Sequence, residues 1–253
     1  MTSFSEWCAE NQSKVSKNTV IVLSADPSKL EHAKQFVAAA VPSFYTNPDR
    51  VAKLLQKLGK PAAAKYVADK LPLGPSLRSG ELGEILCNAY VLEVTPFKRG
   101  IRRLRRKDHR EMSMRGEDVL AFTFDVKGRL KILKAEVKSA NAMTSTIIGN
   151  ARKSLSAFAE LPSPHALSFV ADVLHETGED DALADAIDKA TLEESLTTTQ
   201  MTHMLFTFSG NDPSSMLNKN LTKYAGTVKQ KYVGLHVKTH QVFIKDVFEL
   251  VRK

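Results

Sequence analysis

The sequence predicts an α/β protein in which helices flank a mixed β-sheet, and three observations support this fold class. Short runs rich in β-branched and aromatic residues recur along the chain and predict strands. Segments with apolar residues at three- and four-residue spacing lie between them and predict amphipathic helices. The order, in which a helix precedes two strands and further helices and strands follow, is typical of a mixed sheet covered by helices. The predicted strands lie at 18–24, 119–124, 130–137, 202–209 and 234–244.

The N-terminal part of the chain is predicted to be mostly helical after its single strand. Its helical patterns lie at 28–40, 47–58 and 61–70. Pro42 and Gly59-Lys60-Pro61 separate these patterns, because proline interrupts a helix. The stretch 71–75 contains two prolines and a glycine and predicts a boundary. We therefore expect a mostly helical region over 1–74 and a second domain over 75–253.

A helix followed by a β-hairpin is predicted to open the second domain. Ser76 or Ser79 can cap a helix that runs to about Leu92. The two strand-forming runs at 119–124 and 130–137 are joined by a short connection that contains glycine, which favours a hairpin. Further helices are predicted after it, at 144–160, 164–176 and 181–196.

Composition excludes several classes of protein. The 253 residues are 43% hydrophobic and 25% charged, which is typical of a globular chain. The two cysteines, Cys8 and Cys87, are too few for a Cys-based zinc site or a disulfide framework and fit a reducing compartment. The longest apolar run is far shorter than the roughly 20 residues of a membrane span, and no secretory signal is recognisable. We therefore expect a cytoplasmic protein.

Most of the excess positive charge lies in one segment, 98–110, which we call the basic segment. It holds eight basic residues and one acid, whereas the whole chain has a net charge of +8. Such clusters bind phosphate backbones through counterion release, and such contacts carry no base information. The segment thus predicts DNA binding with little sequence specificity, and a solvated loop is the alternative. The predicted nucleic-acid-binding residues are Arg99, Arg102, Arg103, Arg105, Arg106, Lys107 and Arg110.

An acidic stretch lies at 176–194. Its members are expected to cap helices and to form a solvent-facing stripe. The alternative is a docking surface for a basic partner, or a screen that keeps nucleic acid away from that face. The acids are Glu176, Glu179, Asp180, Asp181, Asp185, Asp188, Glu193 and Glu194.

Glu136 and Lys138 form the core of a candidate catalytic site near the end of a predicted strand. Because side chains alternate along a strand, both lie on the same face of the sheet. A carboxylate there can hold Mg²⁺ (or Mn²⁺), which prefers oxygen ligands and keeps several waters. A neighbouring lysine can position the attacking water and stabilise charge on the phosphorane. The pair indicates metal-dependent phosphodiester hydrolysis.

The turn of the hairpin decides which acid faces Glu136. A three-residue loop with Gly128 in the left-handed conformation places Asp118 directly opposite, with Cβ atoms roughly 5 Å apart. A two-residue turn would instead place Glu117 opposite Lys138. We favour the longer loop, because a non-glycine residue would be strained at the left-handed first position of the shorter turn.

Two carboxylates this close are costly without a cation between them, which again favours a metal. Glu81 and Glu84 share one face of the preceding helix, and either could supply a further ligand from above the sheet. Of the two acids, Glu81 lies more clearly on the apolar face of the helix that contains Leu82. The predicted metal ligands are therefore Asp118, Glu136 and Glu81, with the choice between the two helix acids left open.

Three stretches that carry these residues resemble a known family. They are Ser79-Gly-Glu-Leu-Gly-Glu84, Arg115-Gly-Glu-Asp118 and Lys134-Ala-Glu-Val-Lys138. The helix with glutamate, followed by a hairpin with Asp and Glu-x-Lys, resembles the PD-(D/E)xK nuclease superfamily. The stretches more particularly resemble the HamA family, the nuclease subunits of Hachiman antiphage defence systems. The resemblance covers about residues 75–160.

The resemblance implies a PD-(D/E)xK nuclease-like core, Mg²⁺-dependent DNA cleavage, and a HamB-like helicase subunit that restrains or delivers the nuclease. It also implies that Asp118 and Glu136 bind metal, that Lys138 is the catalytic lysine, and that Glu81 or Glu84 is the helix acid. Asp118 departs from the superfamily pattern because no proline precedes it.

A second interpretation of the chain remains open from sequence. Glu136 and Lys138 could form an exposed ladder on an edge strand, and the chain would then be a non-catalytic adaptor that binds nucleic acid or a helicase through the basic segment. Neither a GxxxxGK[ST] phosphate loop nor a GxSxG turn occurs, so an ATP-driven step is expected to lie in a partner.

Overall fold

A six-stranded mixed β-sheet forms the centre of the computed structural model, which describes residues 3–252. The order across the sheet is β1-β2-β6-β5-β4-β3. The four central strands, β2, β6, β5 and β4, run parallel to one another. The edge strands β1 and β3 are each antiparallel to the strand beside them. The strands are β1 (Cys8–Val15), β2 (Asn18–Ala25), β3 (Val119–Phe124), β4 (Leu130–Ala140), β5 (Met201–Ser209) and β6 (Lys229–His236).

Helices cover both faces of this sheet, because the central parallel strands are joined by helical crossovers. The helices are α1 (Phe4–Trp7), α2 (Leu30–Ala40), α3 (Pro42–Tyr45), α4 (Pro48–Leu58), α5 (Lys60–Lys70), α6 (Pro75–Val94), α7 (Ser145–Ser156), α8 (Pro164–Thr177), α9 (Asp181–Asp188), α10 (Ser214–Thr222) and α11 (His240–Arg252). Among the helices of residues 3–252, none combines the length and the apolar character that crossing a membrane requires.

Alternation along each strand divides the core into two sides. On one side, α2, α6 and α11 pack on residues such as Leu133 and Phe206. On the other side, α7, α8 and α10 pack on residues such as Ile132 and Leu205. Glu136 has the parity of Ile132, so it belongs to the second side, opposite the face that α6 covers.

The β3–β4 hairpin has the predicted three-residue loop. The N–H of Asp125 donates to the carbonyl of Arg129 at 3.0 Å, and the N–H of Gly128 donates to the carbonyl of Asp125 at 2.9 Å. Gly128 has a φ of 72°, a conformation that glycine adopts without steric cost. Val119 consequently pairs with Ala135, which is the predicted register.

Several parts of the secondary structure differ from the prediction. The helix expected at 181–196 is α-helical only to Asp188. The strand expected at 234–244 ends at His236, and 240–244 begins α11. Its buried residues His240, Phe243, Ile244, Val247 and Phe248 have helical spacing, but the local run of β-branched residues dominated the prediction. The helix expected at 144–160 ends at Ser156. The short helices α1 and α3, the helix α10 and the largely exposed polar strand β1 were not predicted.

One sheet spans both regions that the sequence separated at 71–75. The stretch 71–74 does connect α5 to α6, as expected of a linker. The N-terminal strands β1 and β2, however, join the sheet through pairing of β2 with β6. The first 74 residues therefore contribute two strands to the sheet in addition to their helices.

Candidate active site

Asp118 lies at the edge of the sheet, one residue before β3 begins. Because Val119 pairs with Ala135, the same register sets Asp118 opposite Glu136. The Oδ2 atom of Asp118 accepts a hydrogen bond from the backbone N–H of Val137 at 2.8 Å, which fixes the carboxylate against β4. Burial and the neighbouring charge of Glu136 raise the pKa of Asp118 to about 6. The two acids therefore lie near enough to interact.

Lys138 pairs with Glu136 along the same strand. Its Nζ atom lies 2.7 Å from Glu136 Oε1, as the period of two in a strand allows. Its side chain is one-third exposed, so the ammonium can reach solvent and a bound substrate. Lys138 also lowers the pKa of Asp118, though less than burial raises it. Asp118, Glu136 and Lys138 thus form one cluster.

Arg103 connects this cluster to α6. Its Nη2 atom lies 2.9 Å from Glu84 Oε2 and 3.2 Å from Asp118 Oδ1, so one guanidinium bridges two carboxylates. Burial raises the pKa of Glu84 to about 8, Arg103 opposes that rise, and the nearby charge of Asp118 adds to it. Since α6 covers the face opposite Glu136, Glu84 meets the cluster only at the sheet edge, through Arg103.

Glu81 is engaged elsewhere, although it was predicted as a metal ligand with Asp118 and Glu136. Its carboxylate is 3% exposed and accepts a hydrogen bond from the hydroxyl of Tyr45 at 2.6 Å. Its other oxygen pairs with Lys107. Burial raises the pKa of Glu81 above its ordinary value, and both partners oppose that rise. The structure thus joins Glu84 to Asp118 through Arg103 and places Glu81, the predicted ligand, against Tyr45 and Lys107 instead.

The carboxylates of Asp118 and Glu136 suit a hard cation that takes few ligands from the protein. Within residues 3–252, no three His, Cys, Asp or Glu side chains are grouped so that they could hold a metal ion. Mg²⁺ is commonly bound through one or two carboxylates, with water and substrate phosphates completing its shell. The carboxylates of Asp118 and Glu136 fit that pattern, whereas a site built wholly from protein ligands does not fit.

The predicted nucleic-acid-binding residues are largely neutralised by acids of the same chain. Besides Arg103 and Lys107, three arginines of the basic segment reach acids near the end of α8. The pairs are Arg106–Glu176 at 2.6 Å, Arg99–Asp180 at 3.6 Å and Arg105–Glu179 at 3.8 Å. Acids of the same chain therefore offset much of the positive charge of the segment.

Other contacts fix the backbone of the basic segment. Arg102 and Arg105 both donate to the carbonyl oxygen of Ser43, at 3.2 and 2.9 Å. The guanidinium of Arg102 also lies over the ring of Phe44, 4.7 Å from its centroid. Leu104 is buried between them. Arg110, the remaining predicted residue, lies 3.9 Å from Glu111 at the edge of the segment.

A cavity of about 620 Å³ lies beside the cluster, between α6, α8 and the basic segment. Glu84, Arg103 and Asp118 line its polar wall, and apolar residues such as Ile85 and Val170 line the rest. Its volume is in the range of ordinary ligand sites.

Sequence reasoning did not find the bridging role of Arg103, the contact of Tyr45 with Glu81, or the pairing of the acidic stretch with the basic segment. The matching number of charges in the two stretches was the only signal for the last of these. Nothing in the sequence around Tyr45 marks it as a partner of α6.

Comparisons with known proteins give a consistent result along the whole chain. A sequence model of the HamA family matches residues 1–251. The chain is also similar to a Bacillus cereus protein described as Hachiman protein HamA, with 24% identity over 232 residues, which cover 90% of this chain and 82% of the relative.

Proposed function

Because the chain belongs to the HamA family, we propose that it is a metal-dependent DNA nuclease that serves as an effector of Hachiman antiphage defence. The proposed reaction is hydrolysis of DNA phosphodiester bonds with little sequence specificity. A HamB-like helicase subunit, which the resemblance to Hachiman nuclease subunits implies, is the proposed partner.

The convergence of Asp118, Glu136 and Lys138 is the observation that carries the proposal. Two carboxylates and an ammonium at the end of two paired strands form a set that ordinary surface packing does not require. Asp118 is held against β4 by the Val137 N–H, and its raised pKa reflects both burial and Glu136. Functional sites are where such shifts concentrate.

The roles of the residues follow from their chemistry. A bound Mg²⁺ would supply charge neutralisation at the phosphate and a more acidic water. Asp118 and Glu136 would hold it, with Glu84 nearby at the sheet edge. Lys138, one-third exposed beside Glu136, would orient the attacking water and donate to the phosphate oxygens. Arg103 supplies a second cation between the acids.

Plasmid cleavage with Mg²⁺ or with EDTA tests this proposal. We expect Lys138→Met to lower the rate by at least about 100-fold, because a positioned charge that acts in the transition state contributes about that much. Lys131→Met is the matched control, since Lys131 lies on the same strand at the turn end and contacts Asp125. The assay is run on the chain alone and with a co-expressed helicase subunit. Equal rates for wild type and Lys138→Met would remove the site.

A non-catalytic adaptor that binds through the basic segment is the second candidate, and the partly exposed side chains of Arg99 and Arg106 favour it. It predicts that defence survives Glu136→Ala but is lost when Arg102, Arg103, Arg105 and Arg106 are neutralised. The nuclease proposal predicts loss of defence for Glu136→Ala. Plaque counts in cells that carry the complete system distinguish the two.

A further inference from the structure

The basic segment carries two kinds of ion pair, which differ in exposure. Arg103 and Lys107 are deeply placed, with side chains only 12% and 5% exposed. We call the three acids Glu176, Glu179 and Asp180 the acidic rim. Their pairs with Arg106, Arg105 and Arg99 lie at the surface. In each of these pairs at least one partner is more than 40% exposed.

Surface pairs of this kind exchange readily. Their Coulomb attraction is weakened by water, and holding two long side chains in one geometry costs entropy. A phosphate group can replace a carboxylate on a guanidinium, because both are anionic acceptors of its N–H groups. The acidic rim therefore occupies the groups that a phosphate backbone would contact.

The segment does not have to unfold for this exchange. Leu104 is buried, and the carbonyl of Ser43 binds both Arg102 and Arg105, so the backbone stays anchored to α3. Asp180 also caps α9 by accepting from the N–H of Leu183, which holds the acidic rim in place. Arg105 pairs with Glu179 through Nη1 and with Ser43 through Nε, so it can release the carboxylate and stay anchored. Arg99 and Arg106 have only to turn their partly exposed side chains.

We propose that the acidic rim masks Arg99, Arg105 and Arg106 of the basic segment and that DNA binds by taking its place. This inference rests on the proposed function and adds how the substrate is admitted. A polyanion has an advantage over three separate carboxylates, because it also releases condensed counterions. A ligand with a single phosphate has no such advantage.

The masking has a consequence for selectivity. Each arginine that turns to DNA leaves a carboxylate of the acidic rim beside the phosphates, and that carboxylate repels them. Binding thus requires several simultaneous phosphate contacts, so long nucleic acid is favoured over nucleotides. The acidic stretch therefore opposes the binding of ligands that make few phosphate contacts, and it is more than a solvated face.

A charge-matched pair of triple variants tests the proposal. The first removes the acidic rim with Glu176→Gln, Glu179→Gln and Asp180→Asn. The second removes three exposed acids of the same acidic stretch that form no ion pair with the basic segment in the described residues, with Asp185→Asn, Glu193→Gln and Glu194→Gln. Both raise the net charge by the same amount, three units, within the same acidic stretch.

Affinity is measured by fluorescence anisotropy with a labelled 20-base-pair duplex in EDTA, so that no cleavage occurs. Equal unfolding midpoints establish that both variants are folded. We expect the first variant to bind about 3- to 30-fold more tightly than the second, since three weak surface pairs no longer compete. Inorganic phosphate added as competitor should not distinguish the two variants.

The possible outcomes distinguish the masking by the acidic rim from the proposed action on DNA. Equal gains for the two variants would overturn the masking and leave DNA binding intact, because the effect would then be general electrostatics. No binding by wild type or either variant at low salt would instead remove the proposed DNA substrate. A larger gain for the second variant would also overturn the masking.

Discussion

Replacing Glu84 with glutamine should change how the stability of the protein depends on pH. Burial raises the pKa of Glu84 to about 8, whereas the unfolded chain has an ordinary value of 4.5. A carboxyl whose folded pKa is raised binds its proton more tightly in the folded state. Its contribution to stability is therefore complete below about pH 4.5 and is lost as the pH rises through about 8.

The magnitude follows from the same shift. Each pKa unit corresponds to about 1.4 kcal/mol, so the rise from 4.5 to about 8 sets an upper limit of about 5 kcal/mol at high pH. The pKa of about 8 already includes the opposing effect of Arg103, but Glu84 is 17% exposed, so water recovers part of this cost. We expect Glu84→Gln to exceed wild type by about 1–3 kcal/mol at pH 8.5 and to equal it near pH 4.5.

Urea unfolding from pH 4.5 to 8.5, followed by fluorescence, measures this difference. The chain has one tryptophan, Trp7, which is buried and reports on the core. Glu249→Gln, at an exposed position of α11, is the matched control and should show no such trend. A stability difference that stays constant across this pH range would refute the assignment of Glu84 as a buried, charge-coupled acid.

Three further predictions concern the cluster and its support. Asp118→Asn should lower DNA cleavage by at least about 100-fold, whereas Glu117→Gln should retain it, and the reverse result in the plasmid assay would contradict the register argument. Glu136→Gln should weaken Mn²⁺ binding at least about tenfold by electron paramagnetic resonance titration, because one of two carboxylate ligands is lost, and unchanged binding would exclude that ligand. Gly83→Ala should destabilise the protein by about 1–3 kcal/mol in urea, since its Cβ would meet a side-chain carbon of β4 at 3.1 Å. Gly80→Ala on the same helix meets nothing within 4 Å and should stabilise by up to about 1 kcal/mol, so equal effects of the two changes would contradict the packing of α6 on β4.

Local patterns predicted the hairpin and its register well. Glycine at position 128 limits the turn to a few geometries, and the turn then fixes which residues face each other. Asp118 was thereby placed opposite Glu136 from sequence alone, since both the loop and the alternation of strands are short-range effects. Helices with strong periodicity, such as α4 and α6, were also predicted close to their bounds.

The errors arose where distant parts of the chain decide the structure. The polar strand β1 has no apolar alternation, because it is a largely exposed edge strand held by pairing with β2. The start of α11 was taken for a strand, because its β-branched residues favour that locally, whereas its helical face is buried by distant elements such as α2, α6 and β5. Propensity is weak where such tertiary packing competes with it.

The amino-acid sequence by itself determined the mixed α/β class, the hairpin and the pairing of two acids with a lysine, because these depend on spacing within a few tens of residues. Tertiary structure decided which helix acid meets them and what becomes of the basic segment. Glu81 and Glu84 differ by three positions on one helix, and only the path of residues 98–118 across α6 gives Lys107 to one and Arg103 to the other. The charges of 98–110 and 176–180 are about 70 residues apart, and their attraction is short-ranged in water, so only the folded chain could show that they meet.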